Sequence, residues 1–192
     1  MANRKPRTVL YRRKRESRTN YGKRLKLLLS HQPRLVVRFT NQRVIGQIIT
    51  FTPQGDKVHV ATDSSALKKL GWNFSLKNMS AAYLTGMLLA KMALKKGQKN
   101  AILDTGFKTP LKKGKVTAFI KGVVDGGLDL PHGDDEMFPD EARISGKHVQ
   151  DYATHLKSKK EVYSHRFGEY LKRKAEPEQM SAQFKAVKQK IV

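Results

Sequence analysis

Eleven of the first twenty-six residues are Lys or Arg (Arg4, Lys5, Arg7, Arg12, Arg13, Lys14, Arg15, Arg18, Lys23, Arg24 and Lys26), against a single acid, Glu16. No hydrophobic core can be built from such a segment. Like charges at this density repel one another and leave too little apolar side chain to offset the entropy of ordering, so the run should be poorly ordered alone and fold against a polyanion. Tyr11 and Tyr21 lie inside it, and Arg and Tyr are side chains that stack on exposed bases. Phosphate backbone is the partner this pattern implies.

The excess charge extends past the arm but is interrupted. Of the net +23, residues 1–26 carry +10, residues 27–128 carry +12, residues 129–156 carry −5 and residues 157–192 carry +6. Binding driven by counterion release weakens with salt in proportion to the phosphates neutralised, and a surface of this extent can engage many. A run of basic residues alone also serves as a solubilising or targeting signal, but here the excess spans three segments and includes stacking side chains.

With 192 residues and 39% apolar composition, the chain has material for one compact unit with appendages, organised as a basic arm and entry helix (1–30), a body (31–156) and a helical C-terminal extension (157–192). There is no Cys, which excludes disulfides, thiolate metal sites and a cysteine nucleophile. No apolar stretch follows the N-terminal charges, and the most apolar segment, 81–94, is broken by Thr85, Gly86 and Lys91, so the expectation is a cytoplasmic protein without membrane contact.

The spacing of apolar residues predicts an α/β fold. A short basic helix or turn over 21–30 leads to Pro33, after which residues 34–39 and 44–51 read as strands joined by a tight turn at Asn41 and Gln42. Pro53, Gly55 and Asp56 turn the chain again into a strand over 57–61 with Val58 and Val60 facing inward, which completes a three-stranded antiparallel meander. The period then changes to 3.6: a short helix capped by Asp63 or Ser64 and ended by Gly71, and a longer one over 78–96 ended by Gly97. Met79, Ala82, Tyr83, Gly86, Ala90, Ala93 and Leu94 form its apolar stripe, which should pack on the sheet, and Gly86 marks a close backbone approach. Residues 100–104 return as a buried strand parallel to one neighbour, and 116–128 form a second helix ending at Gly126 and Gly127. The result is a mixed sheet packed by helices. Beyond an acidic loop, helices are expected from about 145 to 156 and twice more in the tail. The tail's narrow stripes need a host surface: the body, another protein or RNA.

Catalysis finds little support. The only acids placed for metal-assisted hydrolysis are Asp104, Asp125 and Asp129, and the stretch 27–128 holds only four acids in total. No cofactor or small-molecule substrate is implied. His132 with Asp134, Asp135 and Glu136 lacks the ligand spacing of a calcium loop, and the GKVT stretch at Gly114 lacks the full phosphate-loop pattern.

The segments YRRKRESRTNYGKRLKLLL, PRLVVRFTNQ, LKKLGW, NMSAAYLTGMLLAKMAL, ILDTGF and GLDLPHGDDEMFPDEARISGKHVQDYA, in this order, resemble the large-subunit ribosomal protein family L eighteen in its archaeal and eukaryotic form. The resemblance covers about residues 5–153. It implies a ribonuclease H-like α/β layer of translational components, binding of 5S ribosomal RNA, and docking with the neighbouring L five protein onto the large rRNA at the central protuberance. Such a protein is a structural constituent of the large subunit, with no catalytic role. Ser17-Arg18 stands where many relatives have Gly-Lys, and Gly22 where an Arg is common.

The candidate rRNA-binding residues are the eleven cations of the arm with Tyr11, Thr19, Asn20 and Tyr21, joined by Arg38, Asn41, Gln42 and Arg43 at the first hairpin. Arg guanidinium groups suit bidentate phosphate contacts. The tyrosines suit base stacking, although Tyr21 beside Leu25 and residues 27–29 equally suits packing on the body. Asn41 is also a residue a tight turn tolerates well.

Overall fold

The computed structural model describes residues 8–191. Two short helices, α1 (Arg12–Arg15) and α2 (Tyr21–Leu28), lead into a meander of β1 (Arg34–Phe39), β2 (Val44–Thr52) and β3 (Gly55–Asp63). A 3-10 helix (Ser64–Leu70) precedes the long helix α3 (Met79–Lys95), strand β4 (Ile102–Asp104) and helix α4 (Lys115–Asp125). Helices α5 (Glu141–Ile144), α6 (Lys147–Leu156), α7 (Lys160–Lys172) and α8 (Met180–Ile191) complete the chain. The sheet order is β3-β2-β1-β4, with β4 parallel to β1 and the other pairs antiparallel, so the sheet is mixed as the sequence implies.

Local signals start and stop these elements where the sequence puts them. Asp63 caps the 3-10 helix by accepting from Ser65 N, and Asn78 caps α3 by accepting from Ala81 N at 2.7 Å. Gly71 closes the first of these at φ +98°, a left-handed conformation that a side chain resists. The helix expected from about 145 to 156 forms as α6, beginning after Gly146, where a Cβ would lie 2.8 Å from Met180 Sδ; the short α5 before it falls within the stretch read as loop.

One inward residue of the meander is reversed. Val60 is buried, but Val58 is 46% exposed, because the pairing steps from Ile48↔Val60 to Ile49↔Val58 and leaves His59 as an extra residue. A bulge of this kind turns the following residue to the opposite face, which strict alternation cannot anticipate. His59 Nε2 lies 2.7 Å from Thr50 Oγ1, which ties the bulge to the neighbouring strand.

Helix α3 is buried on nearly every side, with eleven of its seventeen residues inaccessible. Ala82, Leu89, Ala90 and Ala93 pack with Leu35, Val37, Val44, Ile48, Val60, Phe119 and Val123 in a core between the sheet and the helices. Its other side, through Ala81, Tyr83, Leu84 and Met87, joins Leu67, Trp72, Phe74, Met180, Phe184, Val187 and Ile191 in a second core. Of the three hosts open to the tail, α8 has taken the body. A helix hydrophobic all round belongs between two layers, and the broad stripe read from sequence is the trace of that position.

The close approach at Gly86 is to α4, not to the sheet. A Cβ there would sit 2.2 Å from the Phe119 carbonyl oxygen, and one at Gly122 would sit 2.0 Å from the Tyr83 carbonyl oxygen. Both obstacles are backbone, so no rotamer change relieves them. Gly86→Ala should therefore lower stability by about 1 to 3 kcal/mol through overpacking, despite a helix-propensity gain of roughly 1 kcal/mol. A urea midpoint equal to that of the unsubstituted chain would refute the contact.

Candidate nucleic-acid interface

Residues of β1 alternate between two environments. Leu35 and Val37 face the helices, whereas Arg34, Val36 and Arg38 face the outer side of the sheet, beside Gln47 and Ile49 of β2. The arm returns over this outer face. Arg13, Arg18, Thr19, Asn20, Lys23 and Arg24 line one cleft of about 250 Å³ together with Arg34, Arg38, Asp56 and Asp104.

Two carboxylates hold the arm there, so from residue 8 it is ordered without the polyanion that its charge density was expected to need. Asp56 accepts both terminal nitrogens of Arg24 at 2.8 Å, a bidentate pair, and a further 2.8 Å bond from Arg34 Nη2. Asp104 accepts from Arg34 Nη1 at 2.9 Å, from Gly106 N at 2.8 Å and from Arg38 Nη2 at 3.4 Å. Arg38 also donates to the Asp104 carbonyl at 2.8 Å. Arg34, only 2% exposed, thus bridges the two acids. A guanidinium so buried would be prohibitive if unpaired, and the two carboxylates offset that cost. Lys23 adds a second tie, donating to Thr105 Oγ1 at 3.0 Å, and Asn20 caps α2 through Lys23 N at 3.0 Å.

The Arg24 guanidinium holds the Asp56 carboxyl below its ordinary 3.8, against the opposing effect of burial, and Arg34 adds to the depression. Arg24 is raised in return by its bond to Asp56. Of the other arm cations among the described residues, Arg12, Arg13, Lys14, Arg15, Arg18 and Lys26 are all exposed. Glu16 pairs with Arg18 at 3.1 Å and stands 4.0 Å from Arg12, so one acid serves a cluster of five cations.

Of the sequence-predicted residues, the cleft gathers Arg13, Arg18, Thr19, Asn20, Lys23, Arg24 and Arg38. Tyr11, Arg12, Lys14, Arg15, Tyr21 and Lys26 stand exposed on the arm outside its lining. The Tyr11 and Tyr21 rings meet each other at 5.5 Å, and Tyr21 shares an exposed face of α2 with Leu25 and Leu29. Asn41, Gln42 and Arg43 form the exposed β1–β2 turn, where Thr40 Oγ1 accepts from Arg43 N at 2.9 Å and Arg43 pairs with Asp63 at 3.3 Å. Arg4, Lys5 and Arg7 lie outside the described residues. Sequence reasoning missed Arg34, Asp56 and Asp104 as members of the site. Arg34 and Asp104 sit at the ends of predicted strands and Asp56 in a predicted turn, so no local signal brings the three together.

The acids considered for catalysis are dispersed. Asp104 is committed to Arg34 and Arg38, while Asp125 accepts from Tyr83 Oη at 2.6 Å in a different layer. Among the described residues, no group of three or more His, Asp or Glu side chains could hold a metal ion, and no helix is long and apolar enough to cross a membrane. In the acidic loop, His132 packs edge-on against Phe138 at 5.1 Å, and Lys113 reaches Asp140 at 3.6 Å.

The fold and this site define an α/β protein whose outer sheet face carries a docked cationic arm. Residues 6–101, which include the arm, the meander and α3, match the family described as "Ribosomal large subunit proteins 60S L5, and 50S L18". The chain is also 46% identical over 186 residues to the large ribosomal subunit protein uL18 of Caldivirga maquilingensis, covering 96% of this chain and 89% of that protein. The chain belongs to this family of large-subunit ribosomal proteins, which are structural components of the ribosome and not enzymes.

The charge network makes a prediction about stability and pH. Asp104→Asn leaves Arg34 buried with half its counter-charge and should cost about 3 kcal/mol, more than Asp56→Asn, whose site is nearer solvent. Because the folded pKa of Asp56 is depressed, its contribution is complete above 3.8 and is lost as pH falls below 3.8 through the folded value. The gap in urea midpoint between the unsubstituted chain and Asp56→Asn should therefore narrow from pH 7 to pH 3; a constant gap would exclude the pairing.

Proposed function

We propose that this chain binds 5S rRNA through the arm and the outer sheet face, and helps attach it to the large rRNA at the central protuberance, beside a protein of the L five family. The observation that carries the reading is the docked arm. Asp56 and Asp104 fix Arg24, Arg34 and Arg38 in the cleft, so that Arg12, Arg13, Lys14, Arg15 and Arg18 are presented outward together. An arm already ordered forfeits less conformational entropy on binding than a free one, so more of the phosphate attraction appears as affinity.

In this reading residues 1–30 make the principal RNA contacts, 31–156 provide the platform and 157–192 form an extension whose outward faces meet other components of the subunit. Arg4, Lys5, Arg7, Lys23, Lys26 and the exposed turn of Asn41, Gln42 and Arg43 extend the contact along the phosphate backbone. Tyr11 and Tyr21 present rings for unpaired bases. Shape and backbone contacts of this kind suit an RNA with a defined tertiary form, and a subunit component of this kind works in the cytoplasm.

The test is a gel-shift series with 5S rRNA, transfer RNA and an unrelated stem-loop at several salt concentrations. Tighter binding to 5S rRNA than to the others is the expected result, and equal binding to all three would reduce the protein to a polycation. Replacing Arg12, Arg13, Lys14 and Arg15 together by Gln should flatten the salt dependence by roughly 0.7 to 0.9 for each phosphate no longer neutralised. An unaltered slope would remove the arm from the interface.

A further inference from the structure

We infer that the groove between α6 and α7 takes unpaired ribonucleotides of the large-subunit rRNA, a second RNA segment distinct from the one met by the arm; the inference rests on the proposed role of the arm and sheet cleft. The groove encloses about 610 Å³ and carries Tyr152, Phe167 and Tyr170 beside Arg166 and Arg173.

Its aromatic row is anchored from below. Tyr152, 45% exposed, meets buried Phe167 edge-on at 6.1 Å, and Phe167 stacks on Tyr170 at 6.2 Å. Tyr170 meets Phe74 edge-on at 5.4 Å, and Phe74 meets the fully buried Trp72 at 5.3 Å. A ring held in this way is a preformed platform. The interior members of the row are the ordinary glue of α7, but the exposed face of Tyr152 is surplus to that task.

The cations are surplus as well. Arg166 is exposed and makes no ion pair among the described residues. Glu169 stands 3.2 Å from Lys172 and 3.8 Å from Arg173, one acid between two cations. An exposed ring next to guanidinium groups in excess of their counter-charge is the chemistry of single-stranded nucleic acid, because every base has a face to stack and every nucleotide a phosphate to pair. A duplex hides its base faces and uses only the charges.

The position of the groove gives the site its meaning. The arm lies on the outer face of the sheet, whereas α6 and α7 are joined through Tyr170 and Val149 to the core on the far side of α3. The sheet and the α3 layer, each about 10 Å thick, separate the two basic surfaces. Two surfaces so placed serve two RNA segments, and the protein becomes a bridge between them.

The test uses the full chain bound to 5S rRNA and mixed with large-subunit rRNA carrying 4-thiouridine, followed by near-ultraviolet crosslinking and peptide mapping. Adducts are expected in peptides containing Tyr152 and Tyr170. The variant Tyr152→Ala, Arg166→Gln, Arg173→Gln should lose about tenfold in co-retention of large rRNA, with 5S binding within about twofold of the unsubstituted chain because the sites are far apart. All three side chains are exposed, and a matching thermal melt shows that the fold is intact. Adducts confined to the arm and sheet cleft, or unaltered co-retention, would overturn the groove and leave the arm's role standing. Crosslinks from the groove only to an acidic protein segment in assembled subunits would overturn it too. Failure of the unsubstituted chain to bind 5S rRNA would instead overturn the arm's role, and this inference with it.

Discussion

The structure depends on a guanidinium that cannot be left alone. Arg34 occupies a position in the first strand where burial is nearly complete, and it is tolerable only because Asp56 and Asp104 converge on it from the third and fourth strands. That convergence has consequences beyond its own stability. Asp56 retains capacity for Arg24, and Asp104 for Arg38, so the charge that satisfies the sheet also recruits the arm. A hydrophobic residue in place of Arg34 would give the two acids no reason to sit where the arm needs them.

Helix α3 plays the corresponding part on the other face. With glycine contacts to α4 and apolar residues on both sides, it separates a sheet core from a C-terminal core. The separation gives the molecule two outward surfaces with different chemistry: a cleft of ordered cations on the sheet, and a groove of anchored rings and surplus guanidinium groups on the tail helices. The family to which the chain belongs works inside an assembly of RNA and protein, where a component that contacts its surroundings on opposed faces holds them in register.

Much of the fold was legible because its signals are local. Caps at Asp63 and Asn78, stops at Gly71, Gly97 and Gly127, and the apolar period of α3 fix elements within a few residues of where they occur. What escaped was set by partners distant in sequence. Val58 turns outward because of a bulge opposite Ile48 and Ile49, and Gly86 meets a carbonyl of α4 thirty-three positions further on. Ser17 was legible only as a departure from Gly-Lys; it adopts φ +51° at the end of α1, a left-handed conformation that costs a side chain roughly 1 to 2 kcal/mol and that glycine adopts freely.

For the site, composition was enough to name the arm and its polyanionic partner, since charge density is a property of consecutive residues and needs no fold to be read. Periodicity likewise determined an α/β layer with β4 parallel to its neighbour. Only the tertiary structure decided which cations are spent inward and which face out. Arg24 and Arg38 look no different in sequence from Arg15, and the distinction comes from Asp56 and Asp104, which lie 32 and 66 residues from them. Ion pairing depends on distance in space and on exclusion of water, and neither is encoded in the neighbourhood of any one residue.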